Sequence, residues 1–225
     1  MRRRQDLRSL TVMRAVHATT LACAIAAIML AVSTGVIQGT AHARPPAPPG
    51  EKASRSALAK LKVASRTGLT GYRRVRFGSG WAAAGGGCDT RDRVLQRDGR
   101  NVHTASGCRI TGTWTSLYDG AVLTIGRDLD IDHVVPLAHA WRTGAKRWSA
   151  KRRRAFANDL RAPQLIAVSA SSNRSKSDSP PDEWKPPRRA IWCLYARWWI
   201  RVKTIWRLTV TRRERTSLRS MLRRC

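Results

Sequence analysis

Four cysteines, Cys88, Cys108, Cys193 and Cys225, lie beyond an apolar N-terminal run that holds a fifth, Cys23. In a chain that leaves the cytoplasm an even set of cysteines reads as half-cystines. Two cross-links constrain the fold more than any other feature of this sequence. Three pairings are possible. The sequence-local choice joins Cys88 to Cys108 and Cys193 to Cys225, and closing loops of that size contributes about 3 kcal/mol each in the chain-entropy model. No Cys-x-x-Cys pair occurs, which argues against a zinc–thiolate site.

Export is written at the N-terminus. Arg2, Arg3, Arg4, Arg8 and Arg14 precede the apolar stretch "ATTLACAIAAIMLAVSTGVI", and "AHA" at Ala41–Ala43 offers the small residues a signal peptidase reads. Residues 1–43 are therefore expected to be a signal peptide. A retained membrane anchor is the alternative, because the run approaches spanning length. "RPPAPPG" opens a proline-rich linker over residues 44–54. The part after the signal, residues 44–225, carries 38 basic against 13 acidic residues, a balance of +25. Such a surplus attracts polyanions: nucleic acid, anionic membrane or acidic polysaccharide. An arginine-rich composition inflates the same number, so charge by itself does not choose among them.

Periodicity predicts a mixture of helices and strand pairs, hence an α+β fold rather than a wound parallel sheet. A short amphipathic helix is expected over residues 51–66 and a helix capped near Asp89 or Thr90. A hairpin follows from Cys108, with Ile110 and Trp114 on one strand, Val122 and Ile125 on the next, and "YDG" between them. "RDLDIDHVV" reads as a further strand and "APQLIAVS" as a short buried one. "SAKRRRAFAND" reads as a helix with Ser149 as N-cap, and "SASSNRSKSD" as a helix or tight turn. A long helix is expected over "RAIWCLYARWWIRVKTIW". Thr211 and Glu214 form a capping box for the last helix.

The acidic cluster Asp128, Asp130, Asp132 resembles the opening of a calcium loop, but His133 and His139 stand where that loop needs glycine and glutamate. An exposed strand face accounts for Asp128 and Asp130, with Leu129 and Ile131 pointing inward. His133 needs another explanation: by period two it falls on the inward side, and Pro136 ends the strand just beyond it. An imidazole suits a general base, and a hard cation wants carboxylate and amide oxygens. Asp132, His133 and Asn173 would make a one-metal hydrolytic site.

"DIDHVVPL", "FANDLRAPQLIAVS" and "SSNRSKSD", in this order, resemble the HNH endonuclease motif, the ββα-metal or His-Me finger. With "GYRRVRFGSGW", "CDTRDRVL", "LYDG", "HAWRTGAKRW" and the closing "VKTIW…L…E…L…C", the likeness extends to secreted actinobacterial HNH-family nucleases over residues 55–225. The resemblance implies a ββα-metal core with added helices and a hairpin, stapled by disulfides. It implies that His133 is the general base, that Asp132 and Asn173 hold Mg²⁺ or Mn²⁺, and that Asn158 orients His133 or its loop, a helix C-cap being the plain alternative. Arg174 and Lys176 would contact phosphate, and Arg91 would face the site. Ser177 replaces a common glycine, and "LYDG" a common "PYTG"; neither touches a ligand position. His139 is expected at the surface or behind the site, and Trp114, Trp141, Trp148, Trp184 and Trp192 in packing. The implied protein is a secreted, monomeric endonuclease acting on nucleic acid, DNA in preference to RNA. The rival is a basic, non-enzymatic protein on the same scaffold that binds nucleic acid or the cell envelope.

Overall fold

A computed structural model describes residues 45–124 and 128–225, so the expected signal peptide and Ile125 lie outside the described residues. Helix α1 (Glu51–Lys60) begins inside the expected linker. Arg197 ties the preceding prolines down by donating to the carbonyls of Pro49 and Pro48 at 2.8 and 3.2 Å. α1 is also shorter than the periodicity predicts. Leu61 turns extended, and Val63 bridges Val210 instead.

Strands β1 (Ala83–Gly85) and β2 (Cys88–Asp89) form a small antiparallel pair. Helix α2 (Thr90–Asp98) starts on a capping box between Asp89 and Asp92, as Asp89 at the N-cap position predicts. β3 (Arg100–Ala105), β4 (Arg109–Thr115) and β5 (Val122–Leu123) make one sheet in that order. The expected hairpin is β4–β5, with Trp114 opposite Leu123. β3 is an addition: "RNVHTA" shows no apolar alternation, and its side chains are mostly exposed. Gly99, just before it, lets Val102 and Trp114 approach the backbone closely: a β-carbon there would meet them at 2.5 and 2.8 Å.

The middle of the fold is β6 (Leu129–His133) paired antiparallel with β7 (Leu165–Ser169), with Ile131 opposite Ala167 and His133 opposite Leu165. Between them run α3 (Leu137–Arg142) and α4 (Ala150–Ala157), the latter capped by Ser149. After β7 the chain enters α5 (Ala170–Lys176), with Ser169 as N-cap, so the segment that allowed a helix or a turn is a helix. α6 (Trp192–Trp206) and α7 (Arg212–Leu222) complete the chain, α7 with the Thr211–Glu214 capping box. The bonded cysteine pairs are the sequence-local ones, Cys88–Cys108 and Cys193–Cys225.

The β6–β7 pair is buried on both faces. One face sends Leu129, Ile131, Leu165 and Ala167 into a core with Val94, Leu95 and Trp114. The other sends Ile166 and Val168 into a larger core with Leu58, Trp141, Phe156, Trp199 and Leu218. Enclosing each such side chain contributes about 1.5–3 kcal/mol. Two-sided burial corrects the view of β6 as a strand with an exposed acidic face. Asp130 keeps partial exposure, but Asp132, opposite Ile166, is only 4% exposed.

His139 is likewise in the helical core, not at the surface. Lys203 Nζ lies 2.9 Å from its Nε2, and Lys203 in turn donates to Glu214 at 2.6 Å and to the Thr209 carbonyl at 2.7 Å. Trp199 Nε1 donates to the same Glu214 oxygen at 2.6 Å. His103 is exposed on β3, and the five tryptophans expected in packing line the two cores.

Candidate active site

Helix α5 lies across the acidic face of β6. Residues two apart on the strand and three apart on the helix meet in two rungs. Asn173 Nδ2 donates to Asp130 Oδ2 at 2.9 Å, and Lys176 Nζ donates to Asp132 Oδ1 at 2.8 Å. Lys176 also donates to the carbonyl of His133 at 2.9 Å, and the Tyr118 hydroxyl donates to Asp132 Oδ2 at 2.5 Å. Lys176 has no exposed side-chain surface. Burial lowers its pKa against the pull of Asp132, and burial beside Asp132 pushes the Tyr118 hydroxyl well up. Lys176 is thus an internal counter-charge, which corrects its expected phosphate contact. Arg174, one turn face away, is exposed.

His133 points to the opposite face of β6. Its Nε2–H donates to the carbonyl of Ala157 at 2.9 Å, and its ring stacks on Trp81 with centroids 5.4 Å apart and planes 13° from parallel. That tether leaves Nδ1 as the lone-pair nitrogen. Burial lowers the imidazole pKa to about 4, with Arg74 adding to the effect and the Ala157 bond and Asp132 opposing it. The ring is therefore neutral at physiological pH. It lines two cavities, of about 410 and 250 Å³, and the smaller is also lined by Asp132, Asn173 and Arg74. The end of β6, where Pro136 turns the chain away, is where the two faces share a cavity.

Asn158 caps α4. Its Oδ1 accepts from the Ala82 amide at 2.8 Å and its Nδ2 donates to the Arg154 carbonyl at 2.9 Å. Its side chain therefore ties the loop carrying Trp81 to the helix end, while the group that meets His133 is the neighbouring carbonyl of Ala157. Arg91 donates to the Leu129 carbonyl at 3.4 Å and lines a cavity of about 400 Å³ with Asp130, Asn173, Arg74 and Trp81.

Three residues go unassigned in a reading of the sequence. Arg74 lines all three cavities and is exposed, and among the described residues its side chain makes no hydrogen bond or ion pair. Its only signal is the arginine cluster of "YRRVRF". Tyr118 and Asp119 belong to the "YDG" turn. Asp119 accepts from Ser172 Oγ at 2.6 Å and from Ser169 Oγ, fixing the start of α5. Burial raises its pKa, but those hydroxyls outweigh it and hold it at about 2. One turn thus positions both Asp132 and the helix bearing Asn173.

The oxygens at this site suit a hard divalent cation. Asn173 keeps its amide oxygen free of its bond to Asp130, and each carboxylate oxygen of Asp132 has a second lone pair. Cys88, Asp92 and Cys108 also bring ligand-type atoms within 4.8 Å of one another. There both sulfurs are joined in a disulfide, so no thiolate exists to bind metal.

A neutral imidazole, hard oxygen donors and a guanidinium that has no ion pair among the described residues thus line one cavity. The chain belongs to the family of GmrSD restriction endonucleases, C-terminal domain, whose model matches residues 89–221. It is similar to an uncharacterized secreted protein of Arthroderma benhamiae, 46% identical over 182 residues, which cover 80% of this chain and 89% of that protein. No solved structure matches the chain. Among the described residues no helix is long and apolar enough to cross a membrane.

Proposed function

We propose that residues 55–225 form an HNH-type endonuclease, dependent on Mg²⁺ or Mn²⁺, that hydrolyses phosphodiester bonds of nucleic acid, DNA foremost, with little sequence preference. The observation that carries this reading is the tether of His133. With Nε2–H given to Ala157, Nδ1 is the base, and it shares a cavity with Asp132, Asn173 and Arg74. Water gives its proton to Nδ1 as its oxygen attacks phosphorus. The bond to the 3′ oxygen breaks, and that oxygen is protonated from solvent. An incoming phosphate raises the imidazole pKa from about 4 toward neutrality.

Asn173 and Asp132, with Asp130 beside them, would hold the ion, which supplies positive charge for the phosphate and the departing oxygen. Arg74, Arg174 and Arg91 attract the phosphate backbone, and Asn158 acts as a positioning residue through the end of α4. The ββα-metal finger is β6, β7 and α5. Export by residues 1–43 agrees with the secreted relative, the expected linker ends where α1 begins at Glu51, and we read the mature protein as a monomer.

Plasmid cleavage with Mg²⁺, then with EDTA, tests the reading. His133→Ala should lower the rate by about 10²–10⁴-fold, far beyond what the modest fall in melting temperature expected from losing its buried bond to Ala157 and its stacking on Trp81 would explain, the protein remaining folded at the assay temperature. Wild-type speed in that variant would refute the assignment of the base. Failure of the wild type to cut with either metal would leave a basic binding protein.

A further inference from the structure

The larger of the two cavities at His133 is not used by the chemistry above. Its volume is about 410 Å³, within the range of small-molecule sites. His133 closes it together with Phe77, Gly78, Gly80, Trp81 and Leu137, with Arg74 also in the lining. Trp81 already stacks on the imidazole, so a flat ring entering here meets an aromatic wall beside the attacking group. Apart from Arg74 its walls carry no cation, so a phosphate fits its rim better than its interior. Phosphate has its own place close by. Arg74 is exposed, and the adjoining cavity, which shares Asn158, is lined by Lys151, Arg154 and Arg161, also exposed; among the described residues none of the four side chains has an ion pair.

An apolar recess flanked by free cations matches the two halves of a nucleotide. We propose that this cavity seats an unpaired nucleobase next to the scissile phosphate, so that single-stranded or locally opened nucleic acid is the preferred substrate. The proposal rests on the nuclease reading. A base inside a duplex is covered by its partner and its stacking neighbours, and it enters such a recess only after being flipped out. A single strand is spared most of that cost and gains the stacking contact.

The test fills the recess. Gly80 lines the recess, has no positive φ, and a β-carbon there meets nothing within 4 Å, so Gly80→Trp adds bulk at the recess without backbone strain. Ser79→Trp, at an exposed lining position, is an independent filler. Rates are compared with Mg²⁺ on one labelled oligonucleotide as a single strand, as a duplex, and with an abasic residue beside the main cleavage point. The wild type should cut the single strand on the order of tenfold to a hundredfold faster than the duplex, the rate equivalent of opening a pair. The abasic residue should suppress cleavage beside it. Both fillers should erase these differences and raise KM for the single strand, at a melting temperature near that of the wild type. Equal wild-type rates on strand and duplex, with fillers that behave like the wild type, would overturn the base seat and leave the nuclease standing. A wild type that cuts none of the three would instead overturn the nuclease reading beneath it.

Discussion

Lys176→Ala is the perturbation that most directly probes how α5 is held on β6. In the wild type, Lys176 Nζ is 2.8 Å from Asp132 Oδ1 and is wholly enclosed. Removing the ammonium leaves a carboxylate that is 4% exposed with only the Tyr118 hydroxyl on it. Breaking a buried pair by deleting one partner costs about 3–5 kcal/mol, most of it the desolvation of the charge left behind. The variant also empties the space of the three methylenes beyond Cβ and orphans the carbonyl of His133. For a domain of this size each 1 kcal/mol moves the melting temperature by about 2–4 °C, so a drop of roughly 10 °C is expected. The control is the double variant Lys176→Ala with Asp132→Asn. With no buried charge left unpaired, it should be destabilised by at least about 1 kcal/mol less than the two single effects added together. Urea unfolding of the four proteins gives the cycle. A Lys176→Ala midpoint within error of the wild type, or a double variant whose loss equals the sum, would show that Asp132 is not held by this ammonium.

Acid should destabilise the fold well above the usual carboxylate range. His133 and His139 both have folded pKa values lowered to about 4 by burial, against an ordinary value of 6.5. Between those values the unfolded chain binds more protons than the folded one. Stability is therefore full above pH 6.5 and falls as pH drops toward 4, by about 2 kcal/mol per imidazole at pH 5; urea midpoints at pH 7 and pH 5 that coincide would contradict this. Cys193→Ser with Cys225→Ser opens a loop of separation 32 and should cost about 3–4 kcal/mol in the chain-entropy model, read as a lower thermal midpoint.

The elements were legible in the sequence wherever local chemistry decides the backbone. Asp89, Ser149 and Thr211 each cap a helix through a side chain that bonds an amide three residues on, a relation visible in one dimension; Ser169 does the same, in a segment whose sequence allowed a turn as well. The sequence-local disulfides follow the same logic of short loops. β3 was not legible, because an exposed strand held by its ladder to β4 needs no apolar alternation. The length of α1 was set by Val63 finding Val210, a pairing 147 residues apart that no window of sequence contains.

The site divides along the same line. His133 and Asn173 could be singled out because their chemistry is unusual for their position, whereas their supports could not. The group that fixes the imidazole tautomer is a backbone carbonyl, at Ala157, and any residue type supplies one. Lys176 looks like a phosphate ligand in a basic turn until α5 is laid over a strand whose second face is buried. From then on, a carboxylate opposite Ile166 demands a cation, and Lys176 is three residues, one helical turn, beyond Asn173. The same demand explains why the "YDG" turn bears a tyrosine: Asp132 needs a second donor, and Tyr118 supplies it from a loop that Asp119 pins to the start of α5. What reads in one dimension as a hairpin turn is, in three, the brace between the carboxylate and the helix that carries the amide. Substitutions in that turn should therefore disturb the geometry at Asn173 without touching the base.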